Sequence, residues 1–149
     1  MDDYLIVNFD DKLFQDAFKK YFEELGIQVQ NWDGLWAEMN SDEGTKAFVR
    51  TDGDGSIIGF IMFKIIQLSN WFFEENLGFV REFWIAKEYR NGGHGTALLQ
   101  LAEDYFREND IQKSILTTDT AERFYEKHGY RKDETYVAKN EDDVFVKYL

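Results

Sequence analysis

Apolar side chains over residues 11–25 recur at helical spacing: Leu13, Ala17, Tyr21 and Leu25 lie on four-residue steps, with Phe14, Phe18 and Phe22 beside them. Lys and Glu fill the other face, so the pattern predicts an amphipathic helix that Gly26 stops. Trp32, Leu35, Trp36 and Met39 repeat the three- and four-residue interval and predict a short second helix over 32–39. From Lys46 the period changes. Ala47, Phe48, Val49, Arg50 and Thr51 read as a strand, Asp52-Gly53-Asp54-Gly55 as a turn, and 56–67, rich in Ile and Phe, as a long returning strand. An aromatic and acidic loop is predicted over 69–76, followed by a strand over 78–86.

A glycine cluster then opens a helix whose apolar stripe is Leu98, Leu101, Ala102 and Tyr105 and which should end near Asn109. Residues 114–117 read as a short strand. A last helix is predicted over 120–128, with Asp119 as its cap, Glu122 following and Gly129 as a left-handed stop. Residues 135–138 and 144–148 read as closing strands. This order predicts a mixed α/β fold with one parallel crossover. No internal repeat, low-complexity tract or linker is visible, so residues 1–149 are expected to form a single domain.

Composition narrows the functional classes. Hydrophobic residues make up 44% of the chain and aromatic ones 17%, too much apolar material for disorder despite a net charge of −12. That charge repels phosphate backbones and anionic membrane surfaces and attracts cations, which argues against nucleic acid and membrane partners. It also repels any polyanionic ligand, whose site must then contain strong local anion binding. The chain has no cysteine, which excludes disulfides, thiolate nucleophiles and cysteine-ligated metals. An acidic amino terminus and the lack of any run of about 18 apolar residues argue against a signal peptide and a membrane span. A cytoplasmic location is the expectation.

The local anion site is found at Arg90-Asn91-Gly92-Gly93-His94-Gly95-Thr96, between a predicted strand and a predicted helix. Glycines there let successive backbone N–H groups turn toward one point, and a helix N-terminus adds its dipole. Arg90 carries fork-shaped donors suited to phosphate. The alternative is a glycine turn with no ligand. A Walker loop needs a Lys-Ser/Thr pair that is absent, and the dinucleotide fingerprint has a different glycine spacing, so an ATP-binding reading is disfavoured.

The spacing present is Arg-x-x-Gly-x-Gly behind a strand ending at Ile85, and from Phe83 to Gly95 it resembles the GNAT superfamily of acyl-CoA-dependent N-acetyltransferases. Ala121-Glu122-Arg123-Phe124-Tyr125-Glu126-Lys127-His128-Gly129-Tyr130 is similar to that family's second block. The family often has Asn where this chain has Thr118, and Pro where it has Lys87. The resemblance implies a central, mostly antiparallel twisted sheet of about six to seven strands with one parallel splayed pair, flanked by about four helices.

It also implies roles. Acetyl-CoA is the co-substrate. Backbone groups near Phe83, Trp84 and Ile85 meet its thioester and pantetheine, Arg90, Asn91, Gly92, Gly93, His94, Gly95 and Thr96 its pyrophosphate, and Thr118 the pantetheine arm. Tyr125 is the general acid for the leaving sulfur, against a core-aromatic alternative. Glu82 is the general base, against a solvated strand carboxylate, and Glu74 and Glu75 are second candidates for base or acceptor anchor. Trp32, Trp36, Trp71, Phe72 and Phe73 fall in segments that border the family's acceptor cleft, with core packing as their alternative. His94 and His128 have no ligating companions, so no metal is expected. The acceptor is expected to be a small cationic amine, and the competing reading is an acyl-CoA-binding module without turnover. The oligomeric state is left open, a homodimer included.

Overall fold

The computed structural model describes every residue except Asn70, and its elements run β1 (Asp2–Ile6), α1 (Lys12–Leu25), α2 (Trp32–Ser41), β2 (Lys46–Thr51), β3 (Ile57–Ser69), β4 (Glu74–Ile85), a 3-10 turn (Lys87–Tyr89), α3 (His94–Glu108), β5 (Lys113–Thr118), α4 (Glu122–Lys127), β6 (Arg131–Lys132) and β7 (Asp143–Tyr148). The strands form one sheet in the order β1-β2-β3-β4-β5-β7-β6. Among the described residues β4 and β5 are its parallel pair, and the other neighbours are antiparallel.

Local chemistry explains most boundaries. The Asp11 carboxylate accepts the Phe14 N–H at the start of α1, and Gly26 ends the helix in the left-handed region at φ 72°. The buried stripe is Phe14, Ala17 and Phe18, while Leu13 and Leu25 are exposed, so the helix is rotated away from the predicted four-residue row. Asn31 caps α2 through the Gly34 N–H.

Three elements differ from expectation. β1 is an additional strand: mostly exposed, it packs only Tyr4 and Ile6 on the core beneath α1 and is held also by the ladder to β2 and by a fork of Arg50 donors to Asp3 at 2.8 and 3.0 Å. β4 starts at Glu74 instead of Gly78, because pairing with β3 continues to Ser69↔Glu74; of the predicted loop, Asn70 lies outside the described residues. Residues 135–138 form no strand. Tyr136 and Ala138 pack onto a small cluster under β5 and β7 while Val137 stays exposed, and the sheet edge is instead the two-residue β6.

The sheet carries a core on each face. Leu98, Leu99, Ala102 and Phe106 of α3, with Tyr125 and Tyr130, pack on Ile61, Phe63 and Val80. Phe14, Ala17, Phe18 and Trp36 pack on Val49, Phe60, Met62 and Trp84. Gly78 permits the α3 approach, since a Cβ there would lie 2.3 Å from the Phe106 ring.

Two irregularities shape the centre of the sheet. The β3–β4 register passes from Ile61↔Phe83 to Phe63↔Val80, so Arg81 and Glu82 together oppose Met62 in a bulge. A bulge reverses side-chain parity: Val80 and Phe83 both belong to the α3 face. Arg81 and Glu82 turn instead to the helices on the other face, Arg81 to Asp42 and Glu82 to α1. Second, β4 and β5 pair only at Gly78↔Ser114 and Phe79↔Ile115. β4 then stays with β3 and β5 with β7, so the two strands part and a cleft opens between them.

Candidate active site

The glycine segment lies at the open end of that cleft. Asn91 and Gly93 take left-handed conformations, φ 64° and 85°, and α3 begins at the next residue without a side-chain cap. The first-turn N–H groups of a helix have no intrahelical acceptor, so an uncapped start presents donors and a positive dipole end. A Cβ on Gly93 would meet nothing within 4 Å, whereas one on Gly95 would touch Phe124 and Phe83. The loop is therefore open on one side and packed on the other.

Its side chains are largely engaged. Arg90 donates to the Ile85 carbonyl at 2.9 Å and to Glu24 of α1 at 2.6 Å, so its charge ties β4 to α1. Arg50 lies 3.1 Å from His94 Nδ1; a guanidinium only donates, so Nδ1 is the acceptor. Thr96 Oγ1 is 2.9 Å from His128 Nε2, and His128 Nδ1 donates to the Phe124 carbonyl at 2.7 Å. His128 thus links the start of α3 to the end of α4.

Along β4, Phe83 meets Phe124 edge-on and Ile85 packs beside it, while Trp84 is buried on the α1 face. The Trp84 indole N–H has no hydrogen-bond partner among the described residues, an arrangement that costs about 1–3 kcal/mol. Across the cleft Thr118 is buried, and its hydroxyl oxygen accepts the N–H groups of Thr120 and Ala121. Thr118, not Asp119, therefore organises entry into α4: a residue still on the strand reaches forward, and the helix starts only at Glu122.

Glu82 and Tyr125 converge from opposite sides of this opening. Glu82 is half-buried at the bulge, where the Tyr21 hydroxyl of α1 donates to its Oε2. Tyr125 is 7% exposed, and its hydroxyl makes no hydrogen bond among the described residues. Burial, and then the Glu82 charge, push the Tyr125 phenol above its ordinary range. The Tyr21 phenol is pushed up by burial and by the bond to Glu82, with Tyr125 adding to it. Both phenols stay protonated over the whole neutral range. From sequence alone Tyr21 is one member of the helix stripe, and the signal of its role is a single hydroxyl among the phenylalanines of that face.

Other candidates lie apart from this triangle. Glu74 is exposed at the β4 start and accepts from Gln67. Glu75 accepts from Tyr136 and pairs with Lys113 at 3.1 Å, bonds that hold its carboxyl below the usual range. Both stand at the end of β4 opposite Glu82. Trp36 is core; Trp32 stacks on it at 5.2 Å and lies beneath the Lys19 ammonium. Trp71, Phe72 and Phe73 are exposed at the β3–β4 turn. A cavity of about 720 Å³ separates α1 from the end of β4, its wall including the carboxylates Glu23, Glu24, Asp52 and Glu88, the cations Lys20 and Lys87, and Trp84. Among the described residues no cluster of three metal-ligating side chains occurs, and no helix is long and apolar enough to cross a membrane.

Residues 9–130 match the model of the Acetyltransferase (GNAT) family. Several solved structures share the fold at low identity. Arabidopsis thaliana NAA60 in complex with a bisubstrate analogue aligns with a TM-score of 0.70 and 15% identity, covering 99% of this chain and 98% of that one. A GNAT-family acetyltransferase from Staphylococcus aureus Mu50 aligns at 0.70 and 18%, covering 99% of each chain. PaiA N-acetyltransferase from Thermoplasma acidophilum in complex with coenzyme A aligns at 0.68 and 18%, covering 100% of each. A search of curated proteins by sequence finds no match.

Proposed function

This chain belongs to the acetyltransferase (GNAT) family, and on that premise we propose that it transfers the acetyl group of acetyl-CoA to a primary amine by direct attack in a ternary complex. The observation that carries this reading is the pairing of an uncapped, glycine-rich helix start with a carboxylate and an unengaged phenol at one cleft.

The loop suits the co-substrate. Its left-handed residues and its lack of a Cβ at Gly93 leave backbone donors accessible, and these would hold the pyrophosphate without help from the paired Arg90 side chain. The Phe83, Trp84 and Ile85 backbone, released from β5, would meet pantetheine and the thioester. Thr118 accepts two N–H groups but keeps its own hydroxyl hydrogen, which can serve the pantetheine arm.

The chemistry then divides between two residues. Glu82 takes one proton from the acceptor ammonium, and the freed amine attacks the thioester carbon. Backbone N–H groups of β4 stabilise the oxyanion. As the intermediate collapses, Tyr125 gives its proton to the sulfur, and the second amine proton restores the phenol. The sum is amide, CoA thiol and one proton, which Glu82 returns to water. A protonated, desolvated tyrosine suits this role because it donates only to a strong developing base.

The acceptor we assign is a small cationic amine. Support comes from the net charge of −12 and from the excess of carboxylates, four against Lys20 and Lys87, around the cavity between α1 and β4, where Glu24 is paired with Arg90. Free CoA measured with a thiol reagent tests this, using spermidine, kanamycin and a peptide with a free α-amine as acceptors; the cysteine-free protein adds no background. Release with a polyamine or aminoglycoside is expected. Release with the peptide alone would overturn the acceptor class, and acetyl-CoA binding without release from any amine would favour a module without turnover.

A further inference from the structure

The geometry points to Tyr21 as a positioning residue that fixes the catalytic orientation of Glu82, an inference that rests on the acetyl-transfer reading above. Helix α1 packs on its sheet face through rings. Phe14 and Phe18 are buried, and Tyr21 sits with its ring centroid 5.8 Å from Phe18, 5.8 Å from Phe22 and 5.7 Å from Phe60. A phenylalanine would fill the same space. The hydroxyl adds nothing to that packing, and burial of a polar group is unfavourable unless it is hydrogen-bonded. Among the described residues its one hydrogen bond is to Glu82 Oε2.

Glu82 has the converse need. It stands in the β4 bulge, where the strand ladder defines direction less tightly, and Tyr21 is its sole hydrogen-bond partner among the described residues. A carboxylate has two oxygens. With Oε2 held by a phenol wedged among three rings, the side chain is confined to one rotamer and Oε1 remains for the acceptor proton. Tyr21 serves only as donor, because its raised phenol does not ionise in the neutral range. It touches no reacting atom; it acts through Glu82. The first helix thereby contributes to the catalytic arrangement as well as to the wall of the acceptor side.

The test is a double-mutant cycle of Tyr21→Phe and Glu82→Gln, with turnover followed as free CoA from acetyl-CoA and spermidine, kanamycin or the free-amine peptide. Tyr21→Phe should lower kcat about 10-fold, the value of a lost hydrogen bond to a charged group, and leave the KM for acetyl-CoA within about twofold. In the Glu82→Gln background the same change should cost less than about twofold, because there is no base left to orient. Far-UV circular dichroism and melting temperature of each variant separate folding from chemistry, so kcat is taken per folded molecule. An unchanged kcat in Tyr21→Phe, or an equal loss in both backgrounds, would overturn the inference while leaving the acetyltransferase reading intact. Absence of CoA release by the wild-type protein with every amine would overturn that reading and this inference with it.

Discussion

Tyr125 is the residue on which the proposed mechanism depends most directly, and its substitution separates chemistry from packing. Tyr125→Phe keeps the ring that packs in the α3 face of the core and removes a hydroxyl with no hydrogen-bond partner among the described residues. Loss of a general acid should lower kcat by about 10²–10⁴, with little change in melting temperature or in the KM for acetyl-CoA. Steady-state kinetics beside a thermal melt checks this; stability lost with turnover retained would make it a core aromatic only. The same phenols predict an alkaline limit. Tyr21, Tyr125 and Tyr130 are each shifted upward, burial being the largest cause. Their folded-state affinity for the proton exceeds the unfolded one, so their contribution is fully present below the ordinary tyrosine value of 10.0 and declines as pH rises past it. Melting temperature should fall from about pH 10 upward, less steeply in Tyr125→Phe. Tyr125 and Glu82 could be nominated as candidates from the sequence, through a resemblance to motifs. Tyr21 could not, because a hydroxyl on a helix stripe is indistinguishable from packing until its partner, distant in sequence, is known.

At the scale of elements, regular periodicity was readable and irregularity was not. The α1 and α2 patterns, the β2–β3 hairpin and the glycine-led α3 follow from local spacing, and each appears within a few residues of its expected place. β1 is hard to read from sequence because its inward face is only Tyr4 and Ile6, and Leu5 between them is apolar too, so no polar–apolar alternation marks it. The β4 bulge escaped because it is a property of pairing: nothing in Val80-Arg81-Glu82-Phe83 says that two residues will oppose one. Yet that extra residue puts Val80 and Phe83 on one face and sends Glu82 to the other, and without it an unbroken alternation along β4 would place Val80 on the face of Glu82. The Asp119 cap failed for a related reason, since Thr118 reaches the same N–H groups from the strand. The glycine loop allows a test at this scale. Gly93 has φ 85° and open space where a Cβ would stand, so Gly93→Val strains the backbone without striking the core. The cost to stability should be about 1–2 kcal/mol, while the thermal shift given by acetyl-CoA should disappear. Persistence of the full shift in a folded variant would place the phosphates elsewhere.

For the whole molecule, charge sets a constraint that no single contact reveals. Twenty-nine acidic residues against seventeen basic ones give −12, and the co-substrate proposed for the site is itself a polyanion. Two forces of different range therefore oppose one another. The attraction is local: backbone donors at an uncapped helix start act over hydrogen-bond distances, where mobile ions do not intervene. The repulsion is collective and extends over a Debye length, about 30 Å at 0.01 M salt and about 8 Å at 0.15 M. Added salt removes the second and leaves most of the first. Acetyl-CoA binding, followed by calorimetry between about 0.01 and 0.15 M KCl, should tighten as salt rises, the reverse of the usual behaviour of a phosphate ligand on a basic site. A cationic acceptor experiences the same field as attraction, so its KM should rise over the same range. Opposite signs for the two substrates are the signature of one acidic field with a local anion cradle set into it. If acetyl-CoA binding instead weakens with salt, side-chain cations such as Arg123 and Lys127 of α4 or Arg131 of β6 dominate its recognition, and the backbone loop has the lesser share.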